Sequence, residues 1–230
     1  GFIRHSRIYE GNKPDTGTLS VMVADLEKHS GKAKKTIVMD AGIATDENLE
    51  LIREKGYDYV CVSRKRLKDY QAPTKVSQFT DREKNKVELS VFHPKDSADT
   101  WMYVQSDAKR KKEKSMAGKL NKRFEEELES IKSALSRKGG TKKIEKVWER
   151  IGRTKEKHSR ASGKYQVTVE QDKGLATAIK WELKPNPVKE EKEKGVYFIR
   201  TSYKDPEEKE LWDIYNTIRE VESTFRCLKS

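Results

Sequence analysis

Apolar positions along this chain switch repeatedly between a period near two and a period near 3.6, and each switch marks an element. Phe2 to Tyr9 alternates weakly and predicts a strand ending at Gly11-Asn12. Turn chemistry at Pro14-Asp15-Thr16-Gly17 then caps a predicted helix through Leu19, Met22, Val23 and Leu26. Thr36-Ile37-Val38-Met39 is a continuous apolar run, the signature of a strand covered on both faces, and it ends in Asp40-Ala41-Gly42. A helix is predicted from Thr45 or Asp46 to its C-terminal Gly56, followed by a strand over Tyr57–Ser63. This order of strands and helices predicts a partly parallel sheet with helices on its faces.

Beyond Arg64 the pattern changes. Val87–Phe92 and Trp101–Gln105 read as short strands around a turn. Asp107–Arg137 reads as a long charged helix with Met116, Leu120, Phe124, Leu128, Ile131 and Leu135 on one side. Gly139-Gly140 breaks it, and Thr141 is placed to cap a partner helix carrying Ile144, Val147, Trp148 and Ile151, giving an αα-hairpin. Tyr165–Glu170 and Ala176–Leu183 predict a β-hairpin about Lys173-Gly174. A charged connector, Lys184–Lys194, leads to an apolar strand at Gly195–Arg200 and to a helix started by Asp205-Pro206. The predicted division is therefore an α/β core over 1–64, an α+β insertion over 65–194, and a return to the core over 195–230.

The last helix carries two stripes. Leu211, Ile214, Ile218, Val221, Phe225 and Leu228 recur at steps of 3, 4, 3, 4 and 3, an apolar seam. Tyr215, Arg219, Glu222, Arg226 and Lys229 form a second stripe, in which one carboxylate stands among three cations and an aromatic ring. A salt-bridged solvent face is the plain explanation of such a stripe. A lone carboxylate among cations on a rigid helix also suits a metal ion beside a phosphate chain. Asp40, leaving a buried strand at its C-terminal end, sits where ligands collect in open α/β sheets. Packing of the apolar seam against that sheet would bring Asp40 and Glu222 together.

Charge sharpens the picture. The 230-residue chain has 50 Lys and Arg against 38 Asp and Glu, a net charge of +12, which favours a polyanionic partner. Between Ala108 and Arg160 there are 19 Lys and Arg against 8 Glu and no Asp, so nearly the whole excess lies in the predicted helical hairpin. That hairpin is a candidate for tracking DNA phosphates. Cys61 and Cys227 are the only cysteines, and His5, His29, His93 and His158 are scattered, so no zinc-ligand spacing exists. Cys61 lies in an apolar strand and reads as a core thiol of a protein in a reducing, cytoplasmic setting. Trp101, Trp148, Trp181 and Trp212 read as core anchors. No phosphate-binding glycine loop, dinucleotide fingerprint or nucleophile elbow is present.

Val38-Met39-Asp40-Ala41-Gly42, the following helix and the strand Tyr57–Ser63 resemble the second-aspartate segment of bacterial insertion-sequence DDE transposases. The tail resembles their Tyr–Arg–Glu–Lys signature. Tyr215, Glu222 and Lys229 fit its spacing, whereas Ile218 takes the expected Arg position and Arg219 lies one residue later. The resemblance spans the chain and implies an RNase H-like mixed sheet flanked by helices and interrupted by an insertion domain. It implies a metal-dependent phosphoryl-transfer enzyme that cuts and joins DNA at the terminal inverted repeats of an element, in a bacterial or archaeal cytoplasm. Asp40 and Glu222 would be the second and third carboxylates holding two Mg²⁺ or Mn²⁺ ions, and Tyr215, Arg219, Arg226 and Lys229 would contact DNA. A homodimer in the DNA complex is a further implication, and no membrane association is expected. The family's first aspartate lies on a strand upstream of the one beginning at Phe2, and Asp15 and Asp25 are explained by a helix-capping turn and a helix. The chain opens on Gly within a strand pattern and stops within a helix. It is therefore expected to be a truncated fragment, inactive alone, without the first aspartate. A DNA-binding remnant without chemistry and an RNase H-like nuclease are the competing readings.

Overall fold

Alternation along two short strands decides which helices cover which face of the sheet. The structure is a computed structural model that describes residues 5–31, 33–63, 73, 75–95, 97–185 and 193–229. Strand β1 (Thr36–Met39) pairs in parallel with β2 (Asp58–Val62), Ile37 opposite Tyr59 and Met39 opposite Cys61. Met39, Tyr59 and Cys61 point to one face, where helices α1 (Leu19–Ser30) and α2 (Asp46–Glu54) bring Leu19, Val23, Leu49 and Ile52. The intervening residues Val38, Val60 and Val62 point to the other face. A parallel pair needs a crossover, and α2 supplies it. Thr45 caps that helix by accepting from Asn48 N–H at 3.3 Å, and Gly56 ends it at φ 72°, a conformation a side chain would oppose.

The sheet continues through β3 (Ser77–Thr80), β4 (Lys86–Phe92), β5 (Thr100–Ser106) and β8 (Val196–Thr201). Its order is β1-β2-β8-β5-β4-β3, with every pair after the first antiparallel. The architecture is a mixed α/β sheet flanked by helices, as an RNase H-like fold requires. Helix α6 (Glu208–Lys229) lies on the face opposite α1 and α2 and buries Leu211 and Trp212 among Val60, Val87, Leu89, Met102, Val104 and Ile199.

The chain packs as two units, Gly1–Asp107 with Val196–Ser230, and Ala108–Gly195. Expected strands at 87–92 and 101–105 are present, but they belong to the six-stranded sheet, because β5 pairs with β8 along its whole length. The separately packed unit therefore starts at Ala108, rather than at 65 as the sequence pattern led us to expect. Within it, α3 (Asp107–Ser136) buries Phe124, Leu128, Ile131 and Leu135 against Val147 and Ile151 of α4 (Ile144–Lys157). The short helix α5 (Ser159–Ser162) adds Ala161, and the hairpin β6 (Tyr165–Asp172) with β7 (Leu175–Leu183) closes this second core with Tyr165, Val167, Ala176 and Ile179.

Several local expectations change. Residues 5–10 form no strand, because His5 and Arg7 reach Asp25 of α1 at 3.5 and 2.7 Å in place of a ladder. The rest of the expected strand, residues 1–4, lies outside the described residues, as does most of the 184–194 connector. Met116 and Trp148 were expected inside and are 52% and 41% exposed. The α4 N-cap is Lys143 rather than Thr141, and it makes no side-chain cap bond. Helix α6 opens at Glu208, two residues beyond Pro206.

One buried charge cluster ties the sheet to α2. Asp99, 2% exposed, precedes β5 and accepts from Arg53 of α2 at 2.5 Å and from Arg200 of β8. Arg200 also reaches Asp46 at 2.8 Å, and Arg53 donates to the Tyr59 hydroxyl at 2.6 Å. Burial works against the Asp99 charge, yet hydrogen bonds from Tyr59, Arg53 and Arg200 hold its carboxyl below the ordinary 3.8. Cys61 lies on the same face, and burial pushes its thiol up to about 12.

Two outcomes are expected. Asp99→Asn removes the buried counter-charge shared by two guanidinium groups, leaving Arg200 with Asp46 and Arg53 with Glu50, and should lower stability by about 3–5 kcal/mol at pH 7, read by urea unfolding. Because the folded carboxyl titrates below 3.8, that difference should be complete above about pH 5 and shrink as pH falls below it and on through the folded pKa. In the native protein at pH 8, iodoacetamide should alkylate the exposed Cys227 and spare the buried Cys61, with Cys61 reacting only in denaturant; intact mass reads both.

Candidate active site

The loop after β1 fixes its acidic residue by short-range bonds. Asp40 is exposed at the C-terminal end of β1, one residue past the buried Met39. Its Oδ1 accepts from the Ala41 N–H at 2.7 Å, and its carbonyl accepts from Ile43 and Ala44 N–H at 3.1 and 3.3 Å. The turn is anchored in addition by Asn48, whose side-chain amide donates to Ile43 O at 2.7 Å and to Thr16 O at 2.9 Å. The carboxylate orientation is thus set by backbone, not by a counter-charge.

The second acidic residue arrives on α6. The first turns of that helix are locked to the sheet. Glu208 accepts from Val91 N–H at 3.0 Å and from the Ser77 hydroxyl, and the Trp212 indole donates to the Tyr197 hydroxyl at 3.2 Å. Phe79 meets the Trp212 ring edge-on, with centroids 4.9 Å apart. From this seat the helix passes along β1, and its next turns expose Val221 and Glu222. Ile218, Val221 and Glu222 then line one side of a groove of ≈ 690 Å³. Ile37, Val38, Met39 and Asp40 of β1 and its loop form the floor, and Thr18, Leu19 and Met22 form the far wall. Asp40 and Glu222 therefore share one groove whose remaining walls are mainly apolar.

Val221 was expected in the buried seam. It is 50% exposed because β1 is the last strand on that side of the sheet among the described residues, so the helix overhangs the edge. Tyr215, placed by its stripe among the DNA contacts, is half-buried, packs its ring near Tyr197 with centroids 6.2 Å apart and lies against the core beneath α6. The backbone of Arg219, Arg226 and Lys229 is helical, which keeps them on the Glu222 stripe; their side chains lie outside the described residues. Among the described residues no three His, Cys, Asp or Glu side chains come together as a metal cluster, and no helix is long and apolar enough to cross a membrane. The Asp99 cluster was not anticipated from sequence. Asp99 lies in a polar stretch, Ser97 to Thr100, and nothing in its own neighbourhood signals two arginines from elements 46 and 101 positions away.

The whole chain, residues 1–230, matches the family model described as a transposase DDE domain, and the chain belongs to that family. No curated protein and no solved structure matches it.

The packing of Tyr215 gives a direct check. Tyr215→Ala should lower stability by about 2–4 kcal/mol in urea unfolding, and Tyr215→Phe by less than about 1 kcal/mol, since the ring rather than the hydroxyl fills the space.

Proposed function

We propose that this chain is the catalytic-core part of a transposase that cleaves DNA at the ends of an insertion sequence and joins the freed 3′-hydroxyls to target DNA. The observation that carries the reading is the common groove of Asp40 and Glu222, two exposed carboxylates 182 positions apart in sequence. In a groove walled mainly by apolar residues, two acidic side chains are a natural pair of ligands for a cation bound between them. Hard oxygen donors of this kind fit Mg²⁺ or Mn²⁺. Asp40 and Glu222 would hold such ions, which when bound would activate a water or 3′-hydroxyl and offset the charge of the phosphate under attack. The chain contributes rigidity: Asp40 is pinned by the Ala41 N–H, and Glu222 rides on a helix clamped through Glu208 and Trp212.

Arg219, Arg226 and Lys229, on the same stripe as Glu222, are assigned to the phosphates of the bound strand. Tyr215 is assigned to seating the helix. The stripe then works as a Tyr–Arg–Glu–Lys signature with its arginine displaced by one residue. The six-stranded sheet with α1, α2 and α6 takes the part of the RNase H-like core, and residues 108–195 that of the insertion domain. The family's remaining carboxylate has no counterpart in the groove among the described residues. The outer edge of β1 likewise has no strand partner among them, and a parallel strand added there would end beside Asp40. We assign the first aspartate to such a strand.

The test uses the complete protein and DNA bearing the element's terminal inverted repeats, with Mg²⁺ or Mn²⁺. Loss of a residue that merely orients a metal ligand already costs 10–100-fold in affinity or activity, so Asp40→Ala and Glu222→Ala should each cut strand cleavage by more than about 100-fold. Both variants should also lose the rise in melting temperature that Mn²⁺ gives the parent protein. Cleavage at parental rates in either variant would sink the assignment.

A further inference from the structure

The tip of the 108–195 unit gathers cations from two separate turns. Arg137, Lys138, Lys142 and Lys143 lie between α3 and α4, in a stretch that contains no acidic residue. Lys173 occupies the β6–β7 turn, at φ 46°, beside Gly174. The two turns are stitched together by backbone. Ile144 N–H donates to Gly174 O at 3.0 Å, Ala176 N–H donates to Lys142 O at 2.7 Å, and Lys143 and Leu175 form an antiparallel bridge. Residues 142–144 thus run alongside the start of β7 as a short additional strand.

This tip is fixed in shape. Gly139 sits at φ 76°, and Gly140 approaches the preceding helix so closely that a Cβ there would meet Ala134 O at 1.8 Å. All five cations are exposed, and none makes an ion pair among the described residues. The acidic residues in the same turns are Asp172 and Glu145. Along the helices and the hairpin, by contrast, many cations are balanced: Lys122, Lys132, Lys146, Arg153, Lys157 and Lys180 are each paired with a glutamate. A solvated face keeps its charges balanced in this way. A rigid, unpaired cationic knob brought together by tertiary contacts raises the local potential and suits a closely spaced row of negative charges.

We infer that this tip is a contact surface for the phosphate backbone of duplex DNA, separate from the groove of Asp40 and Glu222. The inference rests on the DNA-acting reading of the chain and adds a second footprint to it. No aromatic side chain and no Asn or Gln stands among the five cations, so the contact carries charge rather than sequence readout.

The experiment is fluorescence anisotropy of the full chain with a labelled DNA duplex of arbitrary sequence, in EDTA, over a series of salt concentrations. Replacing Lys138, Lys142, Lys143 and Lys173 together by Ala should weaken binding more than tenfold and flatten the slope of log K against log salt. Each lost phosphate contact contributes about 0.9 to that slope, so a change of about 2–4 is expected. The control replaces Lys111, Lys112, Lys114 and Lys119 of α3 by Ala and removes the same formal charge. A clearly smaller change for the control supports a localised footprint. An equal change, or an unaltered slope for the tip variant, overturns it. All these positions are exposed, so unchanged circular dichroism and melting temperature are expected for both variants. Equilibrium binding in EDTA involves no cleavage, so failure of the catalytic assignment would leave the result intact.

Discussion

Strand β8 holds the larger unit together. It lies between β2 and β5 and is hydrogen-bonded to both, so the strands on its two sides share one sheet only when residues 196–201 have returned from beyond the second unit. The loop-closure cost of that return grows slowly with length, by about 0.6 kcal/mol per doubling, so a long inserted unit is tolerable. What it requires is a strong central strand. Phe198 and Ile199 supply opposite faces, and Arg200 brings a charge that Asp99 and Asp46 meet. The Asp99 cluster thus joins β8, the start of β5 and α2 at the level where β8 meets both neighbours. Removing one member of such a cluster costs more than the cluster itself contributes.

The groove depends on that closure. Helix α6 leaves β8 after a few residues, and its first turns are clamped to β4 and β3 by Glu208 and Trp212. Direction and distance do the rest. With 1.5 Å of rise per residue, Glu222 stands roughly 20 Å along the helix from Glu208, far enough to cross the sheet and reach the edge strand β1. Asp40 waits at the end of that strand. The site is therefore assembled by a rigid lever hinged at one side of the sheet and acting at the other. The exposed Val221 beside Glu222 belongs to the same overhang.

Much of this was legible in the chain. Period-two and period-3.6 runs gave β1, β2, β8, α1, α2, α3, α4 and the β6–β7 hairpin, because each element buries one face and writes that burial into its spacing. Asp40 and Glu222 could be singled out, since acidic residues at a strand end and within a cationic stripe are locally unusual. The boundary of the second unit was not legible. β4 and β5 look like any short hairpin, and only pairing with β8, about ninety residues on, assigns them to the main sheet. The packing of Tyr215 was hidden for a similar reason: its stripe position is polar, but the Tyr197 ring beside it makes that side of the helix partly core. Met116 and Trp148 differ in the other direction, apolar at helical spacing yet 52% and 41% exposed.

The sequence by itself determined the class of the fold, most of the helices and strands and the family, and it singled out two acidic residues, because these follow from local spacing and from side-chain chemistry. Tertiary structure alone decided which residues meet. It placed Asp40 and Glu222 on one groove, drew Asp99 between Arg53 and Arg200, and set Lys173 beside Lys142 and Lys143. Each of these meetings joins segments distant in the chain, and the free energy that selects it comes from burial and hydrogen bonding between whole elements. No window of the sequence contains both partners.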